Sequence, residues 1–451
     1  MRKFFYLTIL CVAVSVSACK PRQIDVSAPA ILPHTVKEMK TAGFWIGKIN
    51  EPNRIILDAK GIVSFNLRTE KESKLIDDPL AWSGVIDPEG LKKTLRDNLA
   101  YFTQQKMFTA DSRIAHETFY APLRVNMNLE GIDGKTQARF AFLAQYDDQR
   151  LLPTQEALTK EPGDLEFDEV QNSSLDLGTP MLVQHESKDG VWIFGLTPTS
   201  SGWVKKENVA FCSEHQFKAM AGAANFLVVT SAHADIYLDI GLTKHLGACR
   251  MGSKFVLLEA SDPDVFEIVV PVRSSAGGLI ARTAFMSKES AHAGYLAYTQ
   301  RNVLIQAFKL LNSPYGWGGV NGAQDCSSYM QAIFSTVGIK LPRNSSAQGE
   351  TGTPSGSLKF DLKPEEKLQI IAQEAIPGET ILQMNGHVGL FLGMHEDNAY
   401  MIHDTHGFGQ KIPGADITWV VNRVVVSDLS LGEGSKKGSL LSRIVNLRLI
   451  K

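Results

Sequence analysis

Apolar positions recur in two rhythms along the 451-residue chain. In LKKTLRDNLAYFTQQKMF (91–108), Leu91, Leu95, Leu99 and Phe102 fall near every 3.6 residues, which predicts an amphipathic helix. Asp87 and Pro88 just ahead supply an N-cap and a residue suited to the first helical position. From about 136 the rhythm becomes one of short, alternating runs: TQARFAFLAQ, GTPMLVQHESKDGVWIFGL and SSGWVKKENVAF. Alternation cut by turn residues, with KDG inside the second run, predicts hairpins and a small barrel. NFLVVTS, IYLDI, GSKFVLLEA, VFEIVVPV and LIARTAF repeat the theme over 223–286 and predict a second barrel. Beyond about 290 helical spacing returns, with Val303, Ala307, Leu310 and Leu311 on one side of a helix over roughly 295–311. Met330, Ile333, Phe334 and Val337 mark the buried face of the next helix, which opens at Cys326. ETILQM, HVGLFLGM, AYMIHDT and RIVNLRLI then read as strands.

These patterns predict a multi-domain α+β protein. A tether and mixed N-terminal segment covers 19–135, two β-barrels cover 136–212 and 213–288, and an α+β domain covers 289–451. Hydrophobic residues at 44% and charged residues at 21% suit a folded chain. The net charge of −2 offers no basis for a nucleic-acid surface.

The first residues belong to a different class. Arg2 and Lys3 precede an apolar run from Phe4 to Val16 and then small residues, the layout of a secretory signal over 1–18. The ending VSAC resembles a bacterial lipobox, which implies cleavage before Cys19 and a lipid anchor on its thiol. Lys20 follows, not the Asp that often retains lipoproteins in the inner membrane, so in a Gram-negative cell the expected place is the outer membrane, facing the periplasm. KPRQIDVSAPAILP reads as the tether. Of the other cysteines, Cys11 leaves with the signal, Cys212 and Cys249 are available to pair, and Cys326 stands apart.

Cys326 sits where the Gly-rich stretch SPYGWGGVNGAQD becomes a helix. Free N–H groups and the positive dipole end favour a thiolate there. His387 opens one predicted strand and His403 ends the next, so an antiparallel pair sets them side by side. A thiol facing two histidines is a nucleophile–base–orienter set. His387, His395, His403 and His406 match no strong zinc spacing, and no C-x-x-C pair suggests redox work; no metal and no cofactor is expected.

SPYGWGG, DCSS, LPRNSSAQ, NGHVGLFLG and MIH, in this order over the last third of the chain, resemble the NlpC family of bacterial cell-wall cysteine peptidases. The two barrels then resemble bacterial SH3-like domains, to which SSGWV contributes a Gly-Trp strand. The resemblance implies a papain-like core with Cys326 as nucleophile, His387 as base, His403 as orienter and Tyr315 at the oxyanion. It implies that Asp325, Ser327 and Ser345 contact substrate, and that an acid on the first barrel holds a free L-Ala amine, with Glu186 as candidate. The implied reaction is hydrolysis of the γ-D-glutamyl–diaminopimelate bond of peptidoglycan stem peptides. A wall-binding protein with a weak or inactive peptidase domain, and a papain-like murein amidase, are the alternatives.

The chain departs from the family pattern at three points. Ser328 stands where glycine is usual. Ser200 and Ser201 stand where relatives tend to carry tyrosine. The sixteen positions from His387 to His403 exceed the usual spacing, which suggests a longer hairpin loop at MHEDN and brings His406 into contention as orienter. Strand parity favours His403.

Overall fold

The computed structural model describes residues 24–134, 137–258, 262–356, 358–359, 361–413 and 415–451; the signal and Cys19 lie outside them. The helix read from Leu91 spacing spans Pro88–Thr103, with Asp87 at the N-cap position and Pro88 in its first turn. Leu91, Leu95, Leu99 and Phe102 are all buried. They share a core with Phe140, Phe194 and Trp203, so this helix is packed onto the first barrel. Burying each such side chain contributes on the order of 1.5–3 kcal/mol, which is why the apolar spacing decides the helix's orientation.

The first barrel is a seven-stranded sheet running from Arg139–Leu143 to Val209–Cys212. Its central hairpin, Pro180–Glu186 and Trp192–Leu196, turns at the expected KDG, where Gly190 takes φ +71°. The second sheet also has seven strands, and Ala291–Ala293 closes it against Phe226–Val229, past the boundary expected at 288. Cys212 ends a strand of the first barrel and Cys249 lies in the core of the second; both are free thiols.

The third sheet carries the C-terminal domain. Its order is Ile24–Ser27, Ala415–Asp428, Asn398–Ile412, His387–His395, Thr380–Met384, Ile444–Leu449 and Thr353–Pro354. Helices Gln300–Lys309 and Cys326–Ser335 cover one face, where Met330, Ile333 and Phe334 meet Val388, Leu390 and Ile402. The first strand is a departure from the sequence reading. Residues 24–27, taken as tether, pair in parallel with 417–420, because the edge of the long strand Ala415–Asp428 offers backbone partners that need no apolar side chains. The long spacing between the histidines is also absorbed differently. Only Glu396 and Asp397 connect the two strands, and the extra residues lengthen the strands around a bulge at Gly393, φ +132°.

Candidate active site

Cys326 is the first residue of its helix and Asp325 is the N-cap. Asp325 accepts from the Ser328 N–H at 2.9 Å, and Ser328 Oγ accepts from the Asp325 N–H at 2.8 Å. This reciprocal capping box accounts for the residue that replaces glycine: the Ser328 hydroxyl turns back onto the helix end. The Asp325 carboxylate is full. Arg343 donates Nη1 and Nη2 to it at 3.0 and 2.6 Å, and Ser327 Oγ donates at 3.0 Å. Arg343 Nε also reaches Ser173 Oγ of the first barrel at 3.1 Å. The Arg343 guanidinium overcomes burial and holds the Asp325 carboxyl below its ordinary range. Asp325 and Ser327, expected to take a substrate amine, are therefore engaged within the protein.

The thiol departs from the expected depression. Burial, and then the Asp325 charge, push Cys326 up, while the Val388 backbone N–H on the sulfur acts the other way. The His387–Val388 peptide thus abuts the sulfur. His387 Nε2 lies 2.7 Å from His403 Nδ1, and His403 Nε2 lies 3.0 Å from Ser427 Oγ. The bulge at Gly393 sets the hairpin register, and the absence of a side chain at Gly389 leaves room for His403, since a Cβ there would come within 2.9 Å of the His403 Cβ. Burial pushes His387 down to about 3, with the positive charge of Arg443 acting in the same direction. His403 is lowered by burial, then by His387 and Arg443. Ser427 is fully buried and was missed in the sequence reading, where it is one polar residue in the run VVVSD.

A cleft of about 1900 Å³ brings these groups together, lined by Tyr315, Asp325, Cys326, Ser327, Ser345, His387 and His403. Tyr315 is pushed up by burial and then by the neighbouring Cys326, Asp325 and Asp404. His406 lines the cleft too, because the register shifts between Thr405 and Gly407. It faces Phe167 with ring centroids 4.9 Å apart, and its Nδ1 lies 3.2 Å from Glu166, whereas His403 is the histidine that meets His387. The structure does not bring Glu186 here. Its carboxylate pairs with Lys206 at 2.5 Å and Arg139 at 3.4 Å, away from the cleft. The first barrel instead lends the cleft Asp164, Glu166 and Glu169. Among the described residues no His, Cys, Asp and Glu group of three or more is placed to hold a metal.

The Gly-rich stretch ahead of Cys326 makes room for the barrel. A Cβ on Gly318 would come within 2.5 Å of Gln171 Cγ, and Gly318 has φ +64°. Gln171 Nε2 donates to the Gly318 carbonyl at 3.3 Å and Tyr146 Oη to that of Gly319 at 3.2 Å.

Comparison with known proteins agrees with this architecture. Residues 312–417 match the NlpC/P60 family, and residues 156–205 match an SH3 domain of the SH3b1 type. A probable endopeptidase of Corynebacterium glutamicum is 36% identical over 86 residues, 19% of this chain and 41% of that protein. The gamma-D-glutamyl-L-lysine dipeptidyl-peptidase of Bacillus subtilis is 31% identical over 96 residues, 21% of this chain and 30% of that protein. The chain thus spans less than half the length of these curated relatives. An NlpC/P60 endopeptidase from Photobacterium damselae subsp. piscicida shares the fold at TM-score 0.76 and 19% identity, covering 95% of this chain and 99% of that chain. The chain therefore carries an NlpC/P60 domain of papain-like α+β fold, with an SH3b-type domain ahead of it.

Proposed function

We propose that the protein is a cysteine peptidase that hydrolyses the γ-D-glutamyl–diaminopimelate amide of peptidoglycan stem peptides at the cell envelope. The observation that carries this reading is that Cys326, His387 and His403 line one cleft, with His387 against His403 and the buried Ser427 behind His403. With His387 Nε2–H donating to His403 Nδ1, the other ring nitrogen of His387 holds the lone pair that a base needs. Because burial disfavours the thiolate, proton removal accompanies attack. His387 takes the Sγ proton as sulfur bonds the γ-carbonyl carbon. The Cys326 backbone N–H, which has no partner among the described residues, and Tyr315 are the donors for the resulting oxyanion. The imidazolium then protonates the departing amine, the C–N bond breaks, and a water activated by His387 hydrolyses the thioester.

A preference for a free amine end follows from the acids of the first barrel. On this reading Asp164, which lines the cleft, has the role expected of Glu186, whereas Glu166 already pairs with His406. An acylated amine would leave such an acid unpaired, so the site would discriminate against it.

The purified protein should release L-Ala-γ-D-Glu from L-Ala-γ-D-Glu-diaminopimelate, and Cys326→Ala should not. Binding of whole sacculi without cleavage of that tripeptide would instead support the wall-binding alternative. N-acetylating the alanine should abolish turnover; indifference to acetylation would sink the proposed amine site.

A further inference from the structure

Three buried or nearly buried arginines of this protein are paired with carboxylates: Arg150 with Asp168, Arg250 with Asp176 and Arg343 with Asp325. Arg443 is different. It ends the short helix Leu440–Arg443, is half-buried and lines the cleft. Among the described residues no hydrogen bond, ion pair or ring contact holds its guanidinium. Lys436 and Lys437, exposed on the loop just before it, line the same cleft and have no carboxylate partner among the described residues.

A guanidinium drawn partly out of water loses hydration that only an anion restores well, and its planar fork fits a carboxylate. Arg443 is near enough for its charge to act on both His387 and His403. On the reading above, His387 must face the departing amine in order to protonate it. A cation beside His387 therefore stands where the leaving residue lies.

We propose that Arg443, flanked by Lys436 and Lys437, binds a carboxylate on the leaving residue and so selects a diamino acid bearing a side-chain carboxylate over lysine. The inference rests on the reaction assigned above. Diaminopimelate is lysine with one carboxylate added at its terminal carbon, so the two leaving groups differ by the anion in question.

The test compares kcat/KM for L-Ala-γ-D-Glu-diaminopimelate and L-Ala-γ-D-Glu-L-Lys in the wild type, Arg443→Lys and Arg443→Met. A charge-assisted contact predicts a wild-type preference of about tenfold or more for diaminopimelate. The preference should collapse toward parity in Arg443→Met, chiefly through KM, and survive in part in Arg443→Lys. Equal rates on both peptides in the wild type, or a preference that persists in Arg443→Met, overturn the Arg443 site alone. A wild type that cleaves neither peptide overturns the assigned reaction and this inference with it.

Discussion

Asp404 is the residue whose burial is hardest to reconcile with its chemistry. It is fully buried, and neither carboxyl oxygen has a hydrogen bond of full geometry among the described residues. Burial, and then the Asp325 charge, hold its proton on well above the ordinary carboxylate range, with the Thr405 N–H acting weakly the other way. The unfolded chain releases that proton near pH 4, whereas the folded chain keeps it. Stability is therefore lost as pH rises from about 4 toward the folded value, by about 1.4 kcal/mol per pH unit at most. The buried histidine acts at the other end. His387, at about 3, stays neutral when folded, while the unfolded chain protonates it below about 6.5, so stability is lost as pH falls from there. Asp404→Asn should remove only the first effect. Urea unfolding from pH 4 to 7 should show the variant gaining on the wild type as pH rises, with little difference near pH 4. Parallel stability profiles for the two proteins would show that Asp404 is not held protonated.

The helix Cys326–Ser335 depends on its first turn, since the side chains that cap it also set where Cys326 begins. Ser328→Ala removes one half of the capping box and leaves the Asp325 N–H without its acceptor. The expected cost is about 1 kcal/mol, read as a lower Tm and urea midpoint. An unchanged midpoint would mean that the cap contributes nothing. This helix also shows what the sequence could and could not reveal. Met330, Ile333 and Phe334 were legible because packing on one face imposes a period on a single segment. His387 and His403 were legible because each opens or closes an apolar run. Arg343, Ser427 and Arg443 were not, since each lies in a segment of ordinary composition and gains its meaning only from a neighbour far along the chain. The Ile24–Ser27 strand was hidden for a related reason: backbone pairing at a sheet edge leaves no side-chain pattern. Glu186 differs: a charge beside a hairpin turn suits the cleft by sequence, but Arg139 on the next strand and Lys206 already neutralise it.

At the scale of the whole molecule, one arginine ties three parts together. Arg250 ends a strand of the second barrel. Its Nε donates to both Asp176 oxygens at 3.1 Å, beside the first barrel's strand Gln171–Leu175, and its Nη1 donates to the Ala323 carbonyl at 3.1 Å. Ala323 lies three residues before Cys326, so both barrels bear on the start of the helix Cys326–Ser335. The pair is largely removed from water, with side-chain exposures of 13% and 17%. Removing the cation would strand the Asp176 carboxylate at a cost of about 3–5 kcal/mol. Much of that cost should fall on the seams between domains, because the two barrel cores are distinct clusters, with Leu177 the first-barrel side chain that enters the second core. Arg250→Met is therefore expected to split thermal unfolding into more than one transition and to lower kcat on the diaminopimelate tripeptide, whereas Arg96→Met, on an exposed helix face, should do neither. A single transition with unchanged kcat in Arg250→Met would show that the barrels dock without this clamp and that the loop before Cys326 holds its shape alone.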